Sequence, residues 1–105
     1  MTHLLEPGTK LAAADVDVAL DGDSGYTVLT YVFGSEVGVW EHATGTSTDT
    51  EVDEVFVVVS GAARIDFVEP ELPSMEIGPG DVVHLLEGMR TVWTVTETLR
   101  KVYLA

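Results

Sequence analysis

The chain has 105 residues, 46% of them hydrophobic, no cysteine, and a formal net charge of −13. That length supports one domain around one core, and the apolar share excludes general disorder. The absence of cysteine excludes a disulfide framework and any thiolate ligand or nucleophile; the acidity excludes nucleic acid and anionic membranes, which need clustered Lys and Arg.

Only Lys10, Arg64, Arg90, Arg100 and Lys101 carry positive charge. No apolar run reaches membrane-spanning length. The opening Met1-Thr2-His3-Leu4-Leu5 lacks the basic and long apolar parts of a signal peptide. A soluble, cytoplasmic protein is expected.

Residues 1–25 read as an N-terminal arm with loops, and residues 26–105 as the folded barrel. Pro7-Gly8 interrupts the arm. Lys10 to Ala14 is too short for a stable helix. Asp15-Val16-Asp17-Val18 alternates and suits a short strand, and Asp21 to Gly25 is a turn cluster. Tyr26–Phe33, rich in aromatic and β-branched residues, is the first strand. Gly34-Ser35 turns it into a second strand, Val37–Ala43. Thr44–Asp53 is polar and acidic and reads as a loop. Glu54–Ser60 is the third strand, Gly61 a turn, and Ala62–Val68 the fourth. Glu69–Ser74 holds two prolines and reads as a loop. Met75–Ile77, Val82–Leu86, Thr91–Thr96 and Leu99–Leu104 complete the set.

No segment keeps a helical period. Short strands at even spacing, punctuated by Gly and Pro, predict an all-β antiparallel barrel or sandwich. Val55 to Val59 is apolar on both faces, whereas a strand with one wet face alternates. Its outer face therefore needs a cover, and a closed homodimer is the commonest one.

Several stretches resemble the cupin superfamily. Glu54 and Gly61 keep the Glu-to-Gly spacing of the first cupin motif. Gly80, Leu86-Glu87-Gly88 and Thr91 keep the spacing of the second. More narrowly, Gly38-Val39-Trp40-Glu41, Asp53-Glu54-Val55-Phe56, Gly78-Pro79-Gly80-Asp81, Thr91-Val92-Trp93 and Arg100-Lys101-Val102-Tyr103 resemble the single-domain cupins of the ureidoglycine aminohydrolase and ethanolamine-utilisation group. The resemblance implies a single antiparallel jelly-roll β-barrel, covering roughly residues 34–105. It also exposes departures. The first motif's His-x-His falls within Thr46–Thr50, where no histidine stands. Thr91 replaces the second motif's histidine, and Leu86 its proline. Of the usual four metal ligands only Glu54 remains.

Glu54 is thus the catalytic candidate: a carboxylate at a barrel mouth ligates metal or acts as a base when burial raises its pKa. The alternative is a solvated carboxylate in the run Asp49, Glu51, Asp53. His42, with Glu54, offers part of a nitrogen–oxygen metal site, or else is a hydrogen-bonded cavity or interface histidine. His84 sits between apolar neighbours, so its face is open; pointing inward it would complete a three-ligand site for Mn, Fe, Ni or Zn. Trp40, Phe56, Trp93 and Tyr103 are pocket walls or ordinary core. The resemblance places Thr91 inward, and period two then carries Trp93 with it. Arg64 shares a face with Asp66 and either anchors a carboxylate ligand or lies on the outer face. Arg90 reads as surface, His3 as a terminal surface residue, and the acidic loop Asp49–Glu54 as a solvated loop rather than a calcium site.

The expected function is a small-molecule-binding cupin, of unassigned ligand and without the usual metal-binding histidines. Two alternatives stand beside it. One is a metal-dependent enzyme resembling ureidoglycine aminohydrolase, acting on a small nitrogenous or carboxylate metabolite. The other is a structural or regulatory dimer whose cavity is filled by its own aromatics.

Overall fold

The computed structural model describes residues 3–105. Seven strands follow a short 3-10 turn at Ala13–Asp15: β1 Ser24–Val32, β2 Ser35–His42, β3 Gly45–Thr50, β4 Glu54–Glu69, β5 Met75–Ile77, β6 Val82–Leu85 and β7 Arg90–Leu104. Every strand pair is antiparallel. No helix among the described residues is long and apolar enough to cross a membrane.

The barrel is organised by β4 and β7. They pair along most of their length, from Val55 opposite Leu104 to Glu69 opposite Arg90. One half of this ribbon carries β2 and β1 beside β7, with β6 beside β4; the other half carries β3 beside β7, with β5 beside β4. The result is two curved sheets that share their longest strands. Both read from sequence as two separate strands. They stay continuous because Gly61 forms a bend rather than a turn. Its φ is 90°, and an added Cβ would strike the backbone carbonyls of Glu97 and Thr98 on β7. The register shifts between Ser60 and Ala62, a bulge that turns the strand without ending it. Across it the buried face changes from Phe56 and Val58 to Ala63, Ile65 and Phe67. These residues join Ile77, Val83, Leu85, Trp93, Val95 and Leu99 in one core.

Three local expectations are corrected. Asp15–Val18 forms no strand; the chain there is a 3-10 turn followed by extended backbone. Arg100 sets its path, donating to the carbonyls of Ala13, Ala14 and Val16 while its guanidinium pairs with Glu41 at 2.9 Å. Phe33 is not in a strand. Phe33 and Gly34 form the two-residue loop between Val32 and Ser35, with φ of 52° and 78°, the left-handed pair that a hairpin turn requires. Finally, Thr44–Asp53 is not all loop. Gly45–Thr50 pairs with Val95–Arg90 of β7, and its alternating Thr residues suit a strand edge.

Candidate functional site

One end of the barrel holds a cavity of about 550 Å³ between β2, β3, β4 and β7. Strand alternation delivers its walls. Gly38, Trp40 and His42 share the inner face of β2, and Ser47, Asp49 and then Glu51 follow on β3 and its exit. Glu54 opens β4. Trp93, Lys101 and Tyr103 come from β7. Gly38 lacks a side chain because the Tyr103 ring occupies that space.

At the centre lies Lys101, 5% exposed. Its Nζ stands 2.7 Å from Glu54 Oε2. It also lies over three rings, 4.2 Å from the Phe56 centroid, 4.3 Å from Trp40 and 5.1 Å from Trp93. The negative faces of these rings attract an ammonium as the carboxylate does. The rings are packed together, with Trp93 5.6 Å from Trp40 and 5.8 Å from Phe56. Burial pushes the Lys101 amine below its ordinary value of 10.5, against the opposing pull of Glu54, Glu51 and Asp49.

A second buried carboxylate backs the first. Glu51, also 5% exposed, accepts from Thr91 Oγ1 at 2.5 Å and from Trp93 Nε1 at 3.0 Å. Its backbone is clamped to the β6–β7 turn, donating to Met89 and accepting from Gly88. Thus the second motif's glycine turn positions a carboxylate that comes from the first. Asp49 is more open. Burial, and then the Glu51 charge, push its carboxyl above the ordinary 3.8; a backbone hydrogen bond at Thr50 and the Lys101 charge pull it down. Tyr103 donates to Glu36 Oε2 at 2.7 Å, and its hydroxyl is raised above the ordinary tyrosine value by burial and then by that carboxylate.

His42 is 2% exposed and lines the same cavity. Its Nδ1 donates to the Ala43 carbonyl at 2.5 Å, and its Nε2 faces the Ser47 hydroxyl at 2.9 Å. With Nδ1 carrying the proton, neutral imidazole accepts from Ser47.

Of the residues singled out from sequence, the structure groups Trp40, His42, Glu54, Trp93 and Tyr103 around the cavity, with Phe56 and Thr91 buried just behind. His84 and Arg64 lie elsewhere. His84 is exposed on β6, because Val83 and Leu85 take the inner face. Arg64 is exposed on β4 between Ala63 and Ile65, pairing with Asp66 at 3.1 Å and Glu76 at 3.9 Å. The acidic segment is corrected in part: Glu51 is buried and Asp49 lines the cavity, while Thr50, Val52 and Asp53 stay exposed. Lys101 was not singled out, yet it shares a face with Leu99 and Tyr103 by period two. A lone lysine in an otherwise apolar inner row was the signal.

Residues 31–103 match the EutQ-like cupin domain. The chain belongs to that family.

Solved structures agree in fold. A putative ethanolamine utilization protein Q from Salmonella typhimurium is 20% identical, with a TM-score of 0.74 covering 99% of this chain and 91% of that one. A cupin superfamily protein from Desulfitobacterium hafniense is 14% identical, with a TM-score of 0.71 covering 97% and 94%. A protein of unknown function from Rhizobium leguminosarum is 19% identical, with a TM-score of 0.77 covering 94% and 96%. A comparison with curated proteins gives no match.

Cupins commonly hold a metal, and the side chains of this EutQ-like cupin do not fit one. Among the described residues no three His, Asp or Glu side chains are grouped to ligate an ion. Glu54 faces an ammonium, the Thr91 hydroxyl is committed to Glu51, and both ring nitrogens of His42 are engaged. The charge opposite Glu54 is supplied by the protein itself.

Proposed function

We propose that this EutQ-like cupin binds a small molecule in the Lys101 cavity without a tightly held metal. The observation that carries the reading is the contact of 2.7 Å between Lys101 Nζ and Glu54 Oε2. It places a fixed cation beside the one carboxylate that matches the cupin ligand pattern. An open space of about 550 Å³ beside the aromatic walls supports ligand binding over a cavity filled by its own side chains. Pockets of this size and mixed character are ordinary small-molecule sites.

Metal analysis of the untagged protein tests the reading. Substoichiometric Mn, Fe, Ni and Zn are expected. A full equivalent of metal, lost on Glu54→Ala, would overturn it. Thermal shift across metabolite pools is the companion measurement, because a ligand of the native state raises apparent stability.

A second reading rests on the same pair. An amine with a lowered pKa next to a carboxylate can pass a proton at a bound nitrogenous or carboxylate metabolite. Turnover that survives metal chelation and disappears in a Lys101→Met variant still folded by near-ultraviolet dichroism would support this enzyme. We further propose a cytoplasmic homodimer. Its support is the outer sheet face, where Val55, Val57, Val82 and Leu104 are 38–67% exposed.

A further inference from the structure

We propose that the ligand of this cavity is a small organic cation, a primary amine or a quaternary ammonium. The proposal rests on the small-molecule reading above and names its chemical class.

The lining carries five carboxylates, Asp23, Glu36, Asp49, Glu51 and Glu54, against one amine, Lys101. That amine is nine-tenths buried and already faces Glu54, so it offers little to an incoming anion. The arginines are absent from the lining. Arg64 pairs with Asp66 and Glu76, Arg90 with Glu69, and Arg100 with Glu41 and the arm. A carboxylate or phosphate ligand would enter a field of its own sign.

The second observation is the set of aromatic rings beside those carboxylates. The cavity already binds an ammonium, its own, in a cage of Trp40, Phe56 and Trp93 closed by Glu54. The same two elements recur toward the mouth. Tyr26 and Tyr103 stand edge to face at 6.5 Å, with Glu36 hydrogen-bonded to Tyr103 and Asp23 and Asp49 alongside. Aromatic faces combined with carboxylates recognise alkylammonium groups. A hard metal ion instead needs six or so converging oxygens, which the described side chains do not group.

The test is calorimetry at low salt with size-matched probes: propylammonium and tetramethylammonium, neutral 1-propanol, anionic propanoate, and calcium chloride. The organic cations should bind at least about tenfold more tightly than 1-propanol, a gap that is easily read. Binding should weaken as sodium chloride rises and weaken several-fold in Asp49→Asn, an exposed change that leaves the core intact. Propanoate or propanol binding as well as the cations would overturn the cation proposal while leaving a small-molecule pocket. Calcium binding more tightly than either ammonium would overturn it in favour of a metal. Binding by none of the probes would overturn the proposal and the pocket reading together.

Discussion

Lys101 and Glu54 fix the chemistry of the site, and their energetics follow from burial. An ammonium withdrawn from water loses several kcal/mol of hydration, which a close carboxylate and three ring faces offset. Removing one partner leaves the other charge buried and unpaired. Lys101→Met should therefore destabilise the fold by about 3–5 kcal/mol, read by urea titration. Adding Glu54→Gln should restore much of the loss, because no buried carboxylate then remains unpaired. Full additivity of the two changes would show that the ion pair is not the coupled unit described here. Asp49 makes the opposite case. Its carboxyl is raised by burial and Glu51, so the native state holds that proton more readily than the unfolded chain. Its stabilising contribution is complete below 3.8 and is lost as pH rises through the raised value. Asp49→Asn should accordingly raise the melting temperature at pH 7, with the gain shrinking toward pH 4. An unchanged or lower melting temperature at pH 7 would contradict the assigned direction. Much of this site was legible residue by residue. Trp40, His42, Glu54 and Trp93 stand among the sequence's pocket candidates, and all four line the cavity. Asp49 and Glu51 were not legible, because an acidic stretch gives no sign of which carboxylates a neighbouring strand will bury. The faces of Arg64 and His84 were open for a related reason: alternation gives a period, and the phase comes only from the sheet.

At the scale of elements, local sequence signals set strand positions well and strand continuity poorly. Gly61 reads as a turn because Ser60-Gly61 follows five apolar residues, Val55 to Val59. The structure uses the same positive φ to bend β4 against Thr98 and carry it onward. What distinguishes a bend from a turn is the partner strand, which no local window contains. β3 was missed for the same reason: Gly45–Thr50 is polar, and its pairing with β7 makes it a strand. The β1–β2 hairpin supplies the test at this scale. Phe33 holds φ of 52° and is fully exposed. It bears the cost of a left-handed conformation without gaining burial. Phe33→Asn should stabilise the protein by about 1 kcal/mol, since Asn and Gly tolerate that conformation. The check is the midpoint of urea unfolding. A midpoint that falls would mean that the Phe33 side chain has a partner on another molecule.

Across the whole molecule, a net charge of −13 opposes any association that brings carboxylates together. One face avoids that repulsion. Val37, Leu104, Val55 and His84 form a row across β2, β7, β4 and β6, and Val39, Val102, Val57 and Val82 form the adjacent row. Neither row contains a carboxylate. Two copies can meet there, with each subunit presenting the same patch around a two-fold axis. Val39 at the end of the second row is buried, but Val55, Val57, Val82 and Leu104 are 38–67% exposed, an apolar surface that a second copy can cover. Val57 lies near the middle of the patch and is 40% exposed. Val57→Glu adds a carboxylate once per subunit, hence twice to a two-fold interface. It should dissociate the proposed homodimer at micromolar concentration without unfolding the barrel. Sedimentation velocity reads the first effect and the near-ultraviolet dichroism of Trp40 and Trp93 reads the second. Unmodified protein sedimenting at 11.3 kDa would remove the dimer outright. A dimer that persists in Val57→Glu would place the interface on another face. Because the cavity opens on the inner side of the same sheet, cation binding should be the same in the monomeric variant as in the dimer.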